Sequence, residues 1–482
     1  MNAIKRNRIN TSYHRNRSFP GGSFTSLLPL LFVCTAFSLY SQAGAERPNF
    51  ILIFTDDQGW SSTSLQMDDE QPSSRSDFYQ TPNIERLARA GKRFTHGYAS
   101  AAICSPSRRS LQFGQTPARQ GDIRFANDYG PDSDTHLAIP GVLKSIDPTY
   151  RTAHYGKWDL RADIFPEDLG YDESDGNTGN KDGNMNSNSI TKWTEYFINS
   201  NPKKIRSLTS RALNFMERQV KTDHPFYLQI SHYATHVDIQ ATEESFDEYW
   251  KKDPGTKHGD PGMAAMTRDL DDGIGLILDK VHELGIEDNT YIIMMADNGG
   301  VELMPQTREK MIPPSEYGRM RRNYPLRGGK WTLYEGGIRV PFIVAGPGID
   351  PGSQTSTSVV GWDILPTITD LAGLEGELPQ DVDGHSFKNV LTGSAPMNEM
   401  ASRPLIFHRY NDHYPHSAII FGHYKLIKRW KKGEVELYNL FDDIGETNNI
   451  ADSLPTKTKE LYTMLIDYLK EVNAEILETY NP

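Results

Sequence analysis

Cys104 stands in Ile103-Cys104-Ser105-Pro106-Ser107-Arg108, and Cys34 is the only other cysteine in 482 residues. A cysteine without a partner forms no internal disulfide, and in an oxidising compartment it invites oxidation. Such a thiol is either buried and inert or chemically employed, and the count leaves both open. Two acidic pairs offer a second chemistry. Asp56-Asp57 follows the apolar run Asn49–Thr55 (NFILIFT), and Asp297-Asn298 closely follows Thr290–Met295 (TYIIMM). Oxygen-only donors suit a hard cation such as Ca²⁺ or Mg²⁺, although adjacent acids in loops are more often solvated or capping residues. His232 and His236 close a third apolar run, Phe226–Ser231 (FYLQIS). Lys157 and Lys330 follow glycines in Gly156-Lys157-Trp158 and Gly328-Gly329-Lys330. Taken singly, a strand-end histidine is ordinarily a satisfied core residue and a lysine a surface charge.

These residues need a scaffold. The runs at 49–55, 226–231, 290–295 and 340–345 are short, continuous and apolar, as in strands covered on both faces. Residues 81–98 read as a helix, with Thr81 as N-cap and Pro82 in the first turn. Residues 207–220 and 262–284 read as further helices. Strands separated by helices imply an α/β fold, a mostly parallel sheet with helices on both faces. Ligands of such sheets bind beyond the carboxyl ends of the strands, so the two acidic pairs are expected to share one site. Residues 175–189 and 313–329 read as surface loops. Gly, Pro and Asp punctuation around 375–400 marks a domain boundary. Beyond it, residues 404–440 read as short antiparallel strands and 456–477 as an amphipathic helix. His408, His413 and His416 gather there, either as a leaving-group subsite or as surface polar residues. Lys428–Lys432 (KRWKK) reads as a solvated hairpin face, open to an acidic polysaccharide.

Twenty-three Tyr and 20 Phe argue for a packed core. The net charge of −12, with no basic stripe, argues against a nucleic-acid partner. Lys5, Arg6, Arg8, Arg15 and Arg17 precede an apolar stretch, Ser26–Tyr40, too short to span a bilayer comfortably, and Ala43-Gly44-Ala45 supplies small residues for cleavage. Residues 1–45 are therefore expected to be a signal peptide, giving a periplasmic or secreted protein with no stable membrane span and Cys104 as its lone thiol. An uncleaved anchor is the alternative.

The Cys104-x-Pro106-x-Arg108 spacing resembles the signature of the formylglycine-dependent, arylsulfatase-like sulfatases of the alkaline phosphatase superfamily. Residues 149–158 (TYRTAHYGKW), 323–341 (NYPLRGGKWTLYEGGIRVP), 423–426 (HYKL) and 436–440 (ELYNL) resemble further family blocks, so that the similarity spans most of 47–450. It implies an alkaline-phosphatase-like catalytic domain at 46–385 and a smaller C-terminal α+β subdomain with an antiparallel sheet at 386–482. It also implies sulfate-ester hydrolysis, with Cys104 oxidised by a maturation enzyme to formylglycine. The hydrated aldehyde attacks sulfur and later expels sulfate. By the same resemblance Asp56, Asp57, Asp297, Asn298 and the modified Cys104 hold Ca²⁺, with Mg²⁺ as the alternative. Arg108 steadies the diol, Lys157 and Lys330 bind sulfate, and His236 contacts sulfate and protonates the leaving oxygen. The substrate is expected to be a sulfated carbohydrate or another sulfate ester. Three departures stand out. Asp159 occupies the place of a family histidine two residues after Lys157, and is expected to serve as the base, with His154 as the next choice and an impaired enzyme as the third reading. Gln112-Phe113 replace the usual Leu-Thr, and Thr235 replaces a proline before His236. Two other functions stay open: a phosphodiester or phosphonate monoester hydrolase on the same fold, and a sulfated-glycan-binding protein that has lost turnover.

Overall fold

Asn49–Thr55 (β1) is buried along its whole length because neighbours cover both edges and both faces. The remaining strands, in chain order, are β2 (Gly91–Phe94), β3 (Gly97–Tyr98), β4 (Arg151–Gly156), β5 (Glu173–Ser174), β6 (Tyr196–Ile198), β7 (Phe226–Ser231), β8 (Ile239–Ala241), β9 (Thr290–Ala296), β10 (Phe342–Ala345), β11 (Ser353–Thr355), β12 (Val359–Val360), β13 (Leu405–Arg409), β14 (His416–Phe421), β15 (Tyr424–Arg429) and β16 (Glu434–Asn439). The computed structural model describes residues 47–475 except 123–135, 162, 186–194, 303–321, 379, 395–402 and 411–413. The expected signal peptide, Cys34, His413 and parts of the two long loops lie outside the described residues.

Eight strands form one sheet in the order β11-β2-β10-β9-β1-β7-β4-β5. Only β10 runs against its two neighbours. Side chains alternate across β1, as a pleated strand requires. Ile51 and Ile53 face a core shared with the helices Ile205–Lys221 and Pro261–Glu283, whereas Phe50, Leu52 and Phe54 face a second core with Ile139–Ile146 and Ile364–Leu371. No helix among the described residues is long and apolar enough to cross a membrane.

The expected helix over 81–98 is shorter. It spans Pro82–Ala90 (α1), and the chain then turns into β2. Gly91 lies against β10 so closely that a Cβ would sit 2.3 Å from the Val344 carbonyl oxygen, so strand pairing overrides the helical pattern there. Thr81 is the N-cap residue, but its hydroxyl accepts from Ser64 N. The helix terminus is capped instead by Asp271 from the helix Pro261–Glu283, which accepts from Asn83 N (3.0 Å) and Ile84 N (2.8 Å).

β13 to β16 form an antiparallel sheet. One face packs on the terminal helix Pro455–Glu471 through Leu461, Leu465 and Leu469. The other packs on Tyr98, Leu333, Ile338 and Trp362 of the main body. The Lys428–Lys432 segment divides between interior and surface. Lys428 is buried and donates to Gly433 O, and Trp430 is buried with Nε1 donating to Ser417 Oγ, while Lys431 and Lys432 are exposed.

A charged staple fixes this sheet to the main body. Lys425 Nζ, on β15, lies 2.9 Å from both Glu335 Oε1 and Glu446 Oε1, and all three side chains are fully buried. Burial, opposed by Lys425 and reinforced by Glu335, pushes the Glu446 carboxyl up to about 7. A carboxyl raised above its unfolded value near 4.5 contributes stability that is fully present below about pH 4.5 and is lost as pH rises through about 7. Glu446→Gln is therefore expected to flatten the fall in thermal midpoint between pH 4.5 and 7. An unchanged slope would remove Glu446 from the titration.

Candidate active site

Four adjacent parallel strands end at one place. Thr55 of β1 pairs with Ala296 of β9, and Asp297 N donates to Thr55 O (2.9 Å), which sets Asp56-Asp57 beside Asp297-Asn298. Phe54 pairs with Ser231 of β7, which delivers His232 and His236, and Ser231 pairs with Gly156 of β4, which delivers Lys157 and Asp159. Cys104 comes from across the cleft as the first residue of the helix Cys104–Phe113 (α2), a helix buried at every position.

The three aspartates and Cys104 form a closed cluster. One ligand atom from each of Asp56, Asp57, Cys104 and Asp297 lies within 4.8 Å of every other. Cys104 Sγ is 3.4 Å from Asp56 Oδ1 and 3.9 Å from Asp57 Oδ1. Three buried cations balance the acids. Lys330 Nζ donates to both Asp57 oxygens (2.7 and 2.9 Å) and to Cys104 Sγ (3.3 Å). Lys157 Nζ donates to Asp56 Oδ2 (2.7 Å), and Arg108 donates from Nε (3.0 Å) and Nη2 (2.7 Å) to Asp297 Oδ2. Asn298 Nδ2 donates to Asp57 Oδ1 (2.7 Å), while its Oδ1 is buried without a hydrogen-bond partner. An orphaned amide oxygen beside three buried carboxylates is a donor set that fits a hard divalent cation.

The electrostatics separate these acids. Burial alone would raise Asp56, but Lys157, His236, Arg108 and Lys330 hold it well below the usual carboxylate range. Burial and the Asp56 charge push Asp297 up to about 6 against Arg108. Burial, with Asp297 and Asp56, drives the Cys104 thiol well above its ordinary value, so the unmodified side chain stays a protonated and poor nucleophile. Burial, with Lys330, lowers His236 to about 4 and keeps it neutral. Its Nδ1 contacts the Val237 carbonyl, so the Nδ1–H donates there, and Nε2, 3.7 Å from Asp57 Oδ2, carries the free lone pair.

A pocket of about 230 Å³ opens over Cys104, lined by Asp159, His236 and Lys330 among others. Asp159 Oδ1 is 3.1 Å from Arg161 Nε and Oδ2 is 3.7 Å from Lys157 Nζ. His154 lies elsewhere. Its ring packs edge-on against Trp158 and Tyr171, with Nε2 3.0 Å from Ser231 Oγ, and burial takes it down to about 3. Gln112 joins the same interior network, donating to Gln229 Oε1 (2.8 Å) and the Tyr171 hydroxyl (3.0 Å), and Phe113 fills the adjoining core. Both departures at 112–113 are thus packing choices behind the site. His232 is fully buried and lowered by that burial to about 4. His408 and His416 are tied into structure. His408 bridges Ser417 Oγ (2.8 Å) and Glu475 O (2.9 Å), and His416 Nε2 accepts from Leu333 N (2.9 Å).

Several residues shape the site in ways that the sequence did not announce. Thr235 Oγ1 donates to Asp57 O (3.0 Å), fixing the acidic turn from behind. Arg161 bridges Asp159 and Ser105 Oγ (2.9 Å). Gly299 allows the ligand loop to touch the Glu335–Ile338 turn, since a Cβ there would meet Gly336 O at 1.9 Å. Asp57, Asp159 and Trp331 all have positive φ (57°, 51° and 77°), a strained state for such side chains that costs about 1–3 kcal/mol each and collects at functional sites.

The sulfatase family model matches residues 48–374, and the model for the C-terminal region of N-sulphoglucosamine sulphohydrolase matches 329–475. The chain is 28% identical to N-acetylgalactosamine-6-sulfatase of Mus musculus, with 92% of this chain and 83% of that protein covered. It is 27% identical to a sulfatase of Formosa agariphila, with 86% of each covered. Among solved structures, Ps i-CgsB in complex with k-i-k-neocarrahexaose superposes with a TM-score of 0.69 at 24% identity, covering 88% of this chain and 93% of that one. That similarity shows the fold, an alkaline-phosphatase-like sheet with a C-terminal antiparallel sheet. With one family model covering most of the main body, the chain belongs to the sulfatases, enzymes that hydrolyse sulfuric esters.

Proposed function

We propose that this protein hydrolyses sulfate esters of carbohydrates through Cys104 oxidised to formylglycine and a divalent cation, Ca²⁺ with Mg²⁺ as the alternative. The observation that carries the reading is a buried cysteine set among three aspartates and three cations at the ends of four strands. Asp56, Asp57, Asp297, Asn298 and the modified Cys104 would hold the cation. Formylglycine, once hydrated, supplies the hydroxyl that attacks sulfur, and the cation supplies Lewis acidity.

The chain's own residues do the rest. Lys157 and Lys330, both buried, neutralise sulfate oxygens as fixed, preorganised charges. Arg108, anchored on Asp297 and on Lys157 O (2.6 Å), keeps the nucleophile's helix in register with the acids. Lys330, drawn out of water but held protonated chiefly by Asp57, can give a proton to the leaving alcohol oxygen. His236 lines the pocket, and its Nε2 must first take up a proton before it can donate to a sulfate oxygen or to the leaving oxygen. Asp159 accepts the proton whose loss releases sulfate. Lining the pocket favours it over His154, which faces the interior.

The carbohydrate assignment draws on the names of the relatives, one an N-acetylgalactosamine-6-sulfatase and one solved with a neocarrahexaose. Residues 1–45 are read as an export signal, 46–385 as the catalytic domain and 386–482 as the C-terminal subdomain, with the enzyme acting in the periplasm or outside the cell after modification by a formylglycine maturation enzyme. The test is mass spectrometry of the Cys104 peptide together with turnover of a sulfate ester, with and without chelator. An aldehyde or its hydrate with chelator-sensitive turnover is expected. A free thiol in an active preparation would overturn the reading, as would faster turnover of a phosphate diester or phosphonate monoester.

Asp159→Asn is expected to slow sulfate release about 100-fold or more while sparing the attack. Rapid mixing should then show a burst of alcohol followed by slow turnover. A steady rate equal to that of the parent would place the base elsewhere.

A further inference from the structure

Beside the catalytic pocket lies a second cavity of about 710 Å³, and the two share Ile103, Lys330 and Trp331 in their walls. The far wall belongs to the C-terminal sheet. Arg409 ends β13, Arg429 ends β15, and Lys431 and Lys432 stand in the turn that follows. With Lys330 these make five cations, and none of the described lining residues is acidic. The chain as a whole is acidic, at −12, so this concentration of positive charge is local. The carboxylates that temper this wall, Glu436 at 3.2 Å and Glu434 at 3.8 Å from Arg429, with Glu434 also 4.0 Å from Lys432, are not among the lining residues.

Trp331 stands between the two cavities. Its backbone N donates to Ala102 O (2.7 Å), its φ is 77°, and 38% of the residue is exposed. A backbone state that glycine adopts without strain carries the largest side chain instead, held at the rim directly after Lys330. A rigid, half-exposed indole offers a flat apolar face of the kind on which a sugar ring stacks.

We propose that this cavity is a subsite for a second anionic sugar unit, resting on the sulfate-ester reading above. The substrate is an oligosaccharide with a sulfate or carboxylate beyond the ester that is hydrolysed. The ring next to the scissile ester stacks on Trp331, and the second anion meets Lys431, Lys432 and Arg429. The catalytic lysines face the reacting sulfate and the turn lysines face the next anion, so the two anions are read by different elements.

The probe is a sulfated dextran tetrasaccharide, compared with its unsulfated parent and with inorganic sulfate. Each competes against hydrolysis of a small aryl sulfate by the matured enzyme, and each is also titrated by calorimetry. Lys431→Ala/Lys432→Ala is expected to weaken the sulfated tetrasaccharide about tenfold and to lower its salt dependence, leaving aryl sulfate turnover and inorganic sulfate inhibition within about twofold. Trp331→Gly is expected to weaken both tetrasaccharides. Equal affinity for the sulfated and unsulfated tetrasaccharides, or unchanged affinity in the double variant, would overturn the subsite. Loss of all ester turnover with this discrimination intact in the calorimeter would instead overturn the catalytic reading and leave the subsite standing.

Discussion

Cys104→Ala is expected to abolish sulfate-ester turnover, lowering kcat by roughly 10⁴–10⁶-fold, the range seen when one member of a covalent catalytic unit is removed. The fold should hold, with stability changing by about 1–2 kcal/mol at most, because one sulfur atom is lost from a polar cluster rather than from either apolar core. The neighbouring ion pairs do not depend on that sulfur. Lys330 keeps Asp57, Lys157 keeps Asp56 and Arg108 keeps Asp297. Activity and chemical denaturation measured on one preparation separate the two effects. Retained turnover would sink the assignment of the nucleophile, since no other described residue stands at the centre of the acidic cluster. The unmodified thiol gives the same argument from the other side. Its raised pKa makes it a weak nucleophile, so a preparation without the aldehyde should be nearly as inactive as the variant.

Lys425→Met is expected to cost about 3–5 kcal/mol at neutral pH, the largest stability effect among these substitutions. The ammonium sits between Glu335 and Glu446 at 2.9 Å from each, and none of the three is exposed. Removing it leaves two carboxylates buried with less compensation. Glu335 retains the Tyr98 hydroxyl (3.1 Å) and Arg339, and Glu446 retains Glu335 N (2.7 Å), so the protein should weaken rather than fail to fold. Glu446 already titrates near 7, and the loss should shrink as pH falls and that carboxyl protonates. Denaturant unfolding at pH 7.5 and 5.5 tests this. A difference below about 1 kcal/mol at both would mean that the staple contributes little. Activity should fall too, because Glu335 opens the turn just after Lys330.

The strands were legible because burial on both faces leaves continuous apolar runs, as in NFILIFT and TYIIMM. The acidic pairs were legible as neighbours because parallel strands place their carboxyl ends together. Residues 91–98 were misread because pairing of Gly91–Phe94 with β10 is a long-range event, and the helical pattern up to Ala90 gives no warning of it. The partnership of Arg161 with Asp159, the interior position of His154 and the staple around Lys425 were beyond reach for the same reason.

By itself the sequence determined the inventory: a lone cysteine ahead of Pro106 and Arg108, oxygen donors at two strand ends, and lysines in glycine-flanked blocks. Local patterns record which side chains are present and which segments must be covered. Only the tertiary structure decided which charges meet. It set Lys330 on Asp57, turned Asp159 rather than His154 into the pocket, and drew a basic wall from the C-terminal sheet toward Trp331. Those choices depend on contacts between residues up to hundreds of positions apart, fixed by the packing of sheets and helices, and no periodicity in the chain encodes them.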